Sequence, residues 1–247
     1  MSVSVCIATY NGEKFIELQL KSILSQLNND DEIVIVDDCS IDNTLNIIKS
    51  INDSRFKIFS NEKNRGHVYS FGRSIELATK EIIIMSDQDD IWIESRVAMM
   101  KDKLLKSKVM LLTSNSNFID SNGIEVIYKN DGVEERNSQK YLTNIIDIFK
   151  GKENYYGCAM AFKREFRKLI IPIPTYVESH DLWIALAANI CKSNLHSNEV
   201  TLKRRIHGSN ASIVQRKLAL KILSRIIFLA SIIQLYIRKL IRKKITL

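Results

Sequence analysis

The strongest constraint on the fold is a set of short, almost wholly apolar runs at residues 2–9, 32–36 and 82–85, two of which stop abruptly at Asp37-Asp38 and at Asp87-Gln88-Asp89-Asp90. Runs that are continuously apolar rather than alternating belong to strands covered on both faces, the arrangement of a parallel sheet between helices. The intervening segments carry helical spacing: Phe15, Leu18, Ile23, Leu24 and Leu27 follow the Asn11-Gly12 turn. Ser40 or Asp42 can cap a helix running to Ile51, residues 56–59 read as a further short strand, and residues 75–78 close another helix. In sheets of this kind ligands collect beyond the carboxyl ends of the strands, where both acidic clusters fall.

With 247 residues and 45% hydrophobic composition the chain can bury one sizeable core, read as one domain plus an appendage. The middle is less regular: residues 109–113 suit a strand, residues 120–137 are polar with a turn at Asn122-Gly123, and residues 155–162 are small and apolar. A helix opens at Asp181 and runs to about Cys191, and helical periodicity resumes at Gln215. Cys6, Cys39, Cys158 and Cys191 form no CxxC pair, and the N-terminus lacks a basic segment leading into an apolar signal core, which implies reduced thiols and a cytoplasmic location. Of the 36 basic and 28 acidic residues, twelve basic and no acidic ones lie in 203–247, so the first 202 carry 24 against 28. The body is mildly acidic and the tail basic, a pattern that points to a local anionic partner.

Asp87 and Asp89, one residue apart at a strand end, point to the same side, where Mg²⁺ or Mn²⁺ could bind together with diphosphate oxygens. A solvated acidic turn gives the same short pattern, and context has to decide. Asp37-Asp38 supplies acceptors for the imide N–H of a uracil or thymine ring or for ribose hydroxyls, and equally forms a turn leading into a helix cap. His207, with Arg204, Arg205 and Asn210, offers a third metal ligand or phosphate contacts. Trp92 and Trp183 have faces suited to a pyranose and are equally suited to core packing.

The runs VSVCIATYNGEKFI, IVIVDDCSIDNT, NEKNRGHVYSFGRSIELA and MSDQDDIW, in this order and spacing, resemble the inverting glycosyltransferase family two, and GCAMAFKRE, SHDLW and RRIHGSN resemble the acceptor half of its bacterial rhamnosyltransferase branch. The resemblance implies an α/β fold of GT-A type, with a mostly parallel central sheet flanked by helices and a C-terminal amphipathic helical tail. It places a nucleotide-sugar half at residues 1–110, an acceptor and catalytic-base half of the same domain at 111–214, and the tail at 215–247. By resemblance, Thr9, Tyr10, Asn11, Glu13, Asp37, Asp38, Arg65, Gly66, Asp87 and Gln88 bind the donor, with Arg73 near the phosphates. Asp89 is the principal metal ligand, joined by Asp87 and His207 on Mn²⁺ or Mg²⁺. Gly157, Cys158, His180 and Trp183 meet the acceptor, and Asp181 is the base that takes the proton of the attacking hydroxyl. The reading is transfer of a sugar, with dTDP-rhamnose as donor or a UDP-hexose in its place, to a saccharide carried on a polyprenyl diphosphate during synthesis of a bacterial surface polysaccharide. Ser70, Gly72 and Thr79-Lys80-Glu81 depart from the family's usual residues, which bears on the donor rather than the reaction.

Residues 218–247 place Ile222, Ile226, Leu229, Ile233, Ile237 and Leu240 at three- and four-residue spacing among Lys221, Arg225, Arg238, Lys239, Arg242, Lys243 and Lys244. The uncharged run is shorter than the ~20 residues a membrane span needs, so the helix is expected either to lie on the anionic inner face of the cell membrane or to pack on the domain or on a twin subunit in a homodimer. Beyond Tyr236 the tail lacks the interleaved aromatics of a nucleic-acid binder, and no such partner is expected. ATYNGEKF lacks the glycine pattern of a dinucleotide-dependent oxidoreductase, and a noncatalytic nucleotide-sugar module would have no use for Asp89 and Asp181 together.

Overall fold

The computed structural model describes residues 1–128, 132–152, 155–208 and 218–241. The chain begins with β1 (Val3–Thr9), α1 (Ile16–Leu24), β2 (Glu32–Asp37), α2 (Thr44–Ser50), β3 (Phe56–Ser60), α3 (His67–Leu77) and β4 (Ile82–Ser86). β5 (Ile91–Trp92), α4 (Arg96–Lys106), β6 (Leu111–Ile119), α5 (Tyr141–Lys150), β7 (Met160–Lys163), α6 (Arg167–Ile170), α7 (His180–Ile190), β8 (Asn194–Arg205) and α8 (Leu218–Ile241) follow. Eight strands form one sheet in the order β3-β2-β1-β4-β7-β6-β8-β5.

The apolar runs occupy the parallel part, β3-β2-β1-β4. All six residues of β2 are buried: Ile33 and Ile35 face α1 residues Ile16, Leu20 and Ile23, while Val34 faces the opposite layer with Phe71 and Ile75 of α3. Burial on both faces is what the unbroken apolar runs require. Leu18, expected on the inner face of α1, is exposed; Gln19 is buried in its stead, its amide donating to Ser86 Oγ at 2.5 Å.

The second part is mixed. β7 runs antiparallel to β4 and to β6, with Ile84 opposite Ala161 and Leu112 opposite the same residue. β6 and β8 pair in parallel across a register shift near Asn115, and β5 is antiparallel to β8. The strand expected at 109–113 continues to Ile119, because β8 supplies a partner along its length.

α8 lies against α6 and α7. Leu235 and Ser231 are buried, Phe228 and Ile232 pack on the core, Arg238 donates to the carbonyls of Leu169 and Pro172, and Lys239 donates to that of Ile190. Among the described residues no helix is long and apolar enough to cross a membrane. Gln215, Arg242, Lys243 and Lys244 lie outside the described residues.

Candidate active site

The loops leaving β1, β2 and β4 meet at one end of the sheet, where a cleft of about 1520 Å³ opens. Asn11 sits at φ 47°, a left-handed conformation that asparagine adopts more readily than most residues. From there the first two loops are laced together. The N–H of Asn11 donates to Ser40 Oγ at 2.9 Å, Asn11 Oδ1 accepts from the Ile41 N–H, and Glu13 Oε2 accepts from the Asn43 N–H, each also at 2.9 Å. Gln88 clamps Tyr10 by accepting from its N–H and donating to its carbonyl, which fixes the β4 loop against the β1 loop. Thr9, Tyr10, Asn11, Glu13 and Gln88 all line the cleft.

The two carboxylates after β2 have separate duties. Asp37 is fully buried outside the cleft lining and accepts from Thr9 Oγ1 and the Ser40 N–H, so its expected donor contact becomes a scaffold role. Asp38 lines the cleft and accepts from Asn61 Nδ2 at 2.6 Å, the Arg65 N–H at 2.9 Å and the Gly66 N–H at 2.7 Å. Gly66, at φ 84° and ψ 159°, holds a backbone shape essentially restricted to glycine; it caps α3 and lines the cleft. The Arg65 side chain, outside the cleft lining, lies 3.6 Å over the Tyr69 ring, away from its expected donor contact, and Arg73 donates to Ser60 O and Asn61 Oδ1 rather than lying free near the phosphates as expected.

Asp87 and Asp89 both line the cleft. His207, arriving after β8, lines it too, with Nε2 2.8 Å from Asp89 Oδ2. Burial, and next the Asp89 charge, raise the Asp87 pKa above the usual carboxylate value. Two carboxylates beside an imidazole are a donor set that suits Mn²⁺ or Mg²⁺, which Asp87, Asp89 and His207 would hold. A tighter group, Asp87, Asp90 and Cys158, brings its ligand atoms within 4.8 Å of one another. Asp90 and Cys158, however, are buried away from the cleft lining, and the charges of Arg96 and Arg204 act on them. They form the floor beneath Asp87. Burial, with the Asp87 charge next, drives the Cys158 thiol well above its ordinary pKa, so an acceptor contact is replaced by packing.

Asp181 lies in the first turn of α7 and faces the same cleft. Its Oδ1 accepts from the Leu182 N–H at 2.8 Å and from Ser179 Oγ. Burial raises its pKa, opposed by backbone donors from Leu182 and Gly157 and by the Arg204 charge. His180 stacks on Phe71 at 4.1 Å, and a Cβ on Gly157 would stand 2.6 Å from its Nε2; both residues line the cleft. Trp183 is 2% exposed, outside the cleft lining, and donates through Nε1 to Ile170 O. It is a core residue rather than an acceptor platform, since α7 turns it away from the side that carries Asp181. Trp92 is likewise buried, under the Arg96 guanidinium. Asn210 lies outside the described residues.

One contributor went unread in the sequence, and another takes a role other than the one read for it. Tyr156 lines the cleft with Arg204 3.8 Å over its ring. Arg205 is buried and staples the site: its N–H donates to Asp90 Oδ1, Nε to Asp89 O and Nη1 to Asp120 O, each at 2.9 Å. Arg205, read beside His207 for metal or phosphate contacts, is turned to Asp90 and these carbonyls instead; Tyr156, in an ordinary apolar run, gave no signal.

Residues 4–170 match Glycosyl transferase family 2. The dTDP-rhamnosyl transferase RfbG of Shigella flexneri is 35% identical over 176 residues, covering 67% of this chain and 57% of that protein. The UDP-Glc:alpha-D-GlcNAc-diphosphoundecaprenol beta-1,3-glucosyltransferase WfgD of Escherichia coli is 31% identical over 122 residues, covering 49% of this chain and 48% of that one. The chain thus spans about half the length of these curated relatives. The crystal structure of S. aureus TarS 1-349 in complex with UDP-GlcNAc superposes with a TM-score of 0.68 at 18% identity, covering 99% of this chain and 74% of that one. The mannosyltransferase PcManGT from Pyrobaculum calidifontis, in complex with GDP-Man and Mn2+, gives 0.61 at 17% identity, covering 99% and 76%. These likenesses show the fold, a GT-A-like α/β architecture with a mixed sheet flanked by helices. With the family match extending over more than half of its length, the chain belongs to glycosyl transferase family 2.

Proposed function

We propose that this chain transfers a sugar from a nucleoside diphosphate donor to a hydroxyl of a saccharide acceptor, with inversion at the anomeric carbon, in the synthesis of a bacterial surface polysaccharide. The observation that carries the reading is the presence of Asp181 in the same cleft as the Asp89–His207 pair and the laced β1 and β2 loops. Asp181 accepts the proton of the attacking hydroxyl; its raised pKa makes it a stronger base than an ordinary carboxylate. The oxygen attacks from the face opposite the diphosphate, so a single displacement inverts the centre. Arg204 lines the cleft and stays cationic: burial works against its charge, the surrounding acidic groups with Asp87 among them raise its pKa, and it faces the charge that grows on the leaving diphosphate. Asp87, Asp89 and His207 would hold a divalent cation, which would supply Lewis-acid neutralisation of that diphosphate.

Similarity to the Shigella flexneri protein supports dTDP-rhamnose as donor, and similarity to the Escherichia coli protein supports UDP-glucose as the alternative. The latter's name also supports an acceptor on a polyprenyl diphosphate and, with it, peripheral attachment to the cytoplasmic face of the membrane. The test pairs a thermal-shift panel of dTDP- and UDP-sugars, with Mn²⁺ or chelator, on wild type and Asp89→Ala, with transfer by Asp181→Asn. A metal-dependent shift that disappears in Asp89→Ala, together with donor binding but no transfer in Asp181→Asn, is expected. Near-normal turnover by Asp181→Asn overturns the mechanism, and the absence of a shift with every nucleotide overturns the donor site.

A further inference from the structure

α8 has two unlike faces. Its inner face is buried at Ser231 and Leu235 and bonded to the domain. Its outer face presents Ile222, Ile226, Leu229, Ile233, Ile237 and Leu240, each half exposed or more, as one apolar stripe. At ~1.5 Å per residue the helix is roughly 36 Å long, so the stripe is a strip rather than an isolated patch. The charges that ordinarily flank an interfacial helix are partly drawn inward: Arg225 lies over the Phe149 ring, Arg238 over the Trp183 ring and onto the Leu169 and Pro172 carbonyls, and Lys239 onto the Ile190 carbonyl.

The same helix holds both ends of α7. Ser224 Oγ donates to Glu178 Oε2 at 2.8 Å, three residues before Asp181, and Tyr176 Oη donates to Gln234 Oε1. At the far end Lys239 bonds to Ile190, the last residue of α7. Glu178 and Ser179 line the cleft, so the contacts of α8 reach the rim of the active site.

We propose that the outer face of α8 docks on a lipid surface rich in anionic headgroups, and that docking braces α7 and with it the base-bearing turn. The proposal rests on the membrane attachment inferred above and deepens it by adding regulation of the site. Charge complementarity selects the occupant. The helix and the residues flanking it, 216–247, hold nine Lys or Arg and no Asp or Glu, so two such segments placed side by side repel, whereas anionic headgroups attract them. Immersing the apolar strip removes the tendency of an uncovered helix to roll or lift, and the Ser224–Glu178 and Tyr176–Gln234 bonds pass that constraint to residues 176–183.

The experiment uses the full chain with phosphatidylcholine vesicles, with and without phosphatidylglycerol, and reads co-sedimentation together with backbone amide exchange. Binding only to the phosphatidylglycerol vesicles and severalfold slower exchange at 176–183 are expected, with both effects lost in Ile226→Glu/Ile233→Glu. Absence of co-sedimentation overturns the docking face. Co-sedimentation with unchanged exchange at 176–183 overturns the bracing. A mass that doubles with concentration in the absence of vesicles, and is monomeric in the double variant, assigns the face to a second copy and overturns the proposal. Amide exchange needs no turnover, so a failure of the transfer reading is seen separately.

Discussion

His180 is neutral in the folded protein, and acid must act against it. The residue is 6% exposed, its ring is stacked on Phe71, and both ring nitrogens are buried with no hydrogen-bond partner among the described residues. Burial, far more than the nearby groups, lowers its pKa from 6.5 to about 3, against the opposing pull of Asp87. A histidine whose folded pKa lies below its unfolded value stabilises the fold above pH 6.5 and loses that contribution as the pH falls through the window to about 3. At pH 5 the loss is about 2 kcal/mol, or about 4–8 °C in Tm for a chain of this size. Melting wild type and His180→Gln at steps from pH 8 to pH 5 isolates the effect, because the other depressed histidine, His196, is present in both proteins and cancels. The wild-type Tm should fall more steeply with acid than that of the variant. Parallel curves, or a His180 ring resonance titrating near 6.5, would refute the reasoning.

Gly157→Ala puts a Cβ 2.6 Å from His180 Nε2, an overpacking cost of about 1–3 kcal/mol that urea denaturation should register, with reduced transfer because the Asp181 Cβ is only 3.5 Å away. Arg205→Lys cannot bridge both Asp89 O and Asp120 O, so the Mn²⁺-dependent thermal shift should weaken and the midpoint drop; an unchanged shift would remove Arg205 from the site's support. Asp38→Ala leaves the Asn61 amide and the Arg65 and Gly66 N–H groups without their acceptor, for a loss of about 1–3 kcal/mol and of nucleotide binding; retention of both would contradict the bond pattern.

The strands that end in acid pairs were legible because burial on both faces leaves no polar alternation to confuse the reading, and β2 and β4 are buried throughout. Asp87, Asp89, Asp181 and His207 were legible as a set through motif order, which survives the 118-residue separation of Asp89 and His207. The directions of side chains were not. Cys158 and Trp183 sit one or two residues from cleft-lining neighbours yet point inward, because a single turn or one helical step reverses which side a residue faces. The β6–β8 pairing was hidden as well, since Leu111 meets Asn194 only through the long-range fold and the register shifts near Asn115. Periodicity showed that the last helix has an apolar stripe, but not that a second apolar side, with Leu235, faces the domain.

The insertion of β7 between β4 and β6 bears on how the protein can be cut. Residues 1–110 contain the whole parallel half, yet one margin of β4 is closed only by Met160–Lys163, which arrive much later in the chain. A fragment ending near residue 110 would expose an apolar strand with Ile82, Ile83 and Ile84 along an unpaired backbone, a template for intermolecular pairing. The same margin stays open during synthesis until the ribosome has delivered β7, so residues 1–110 and the strands that follow them are a single unit of solubility.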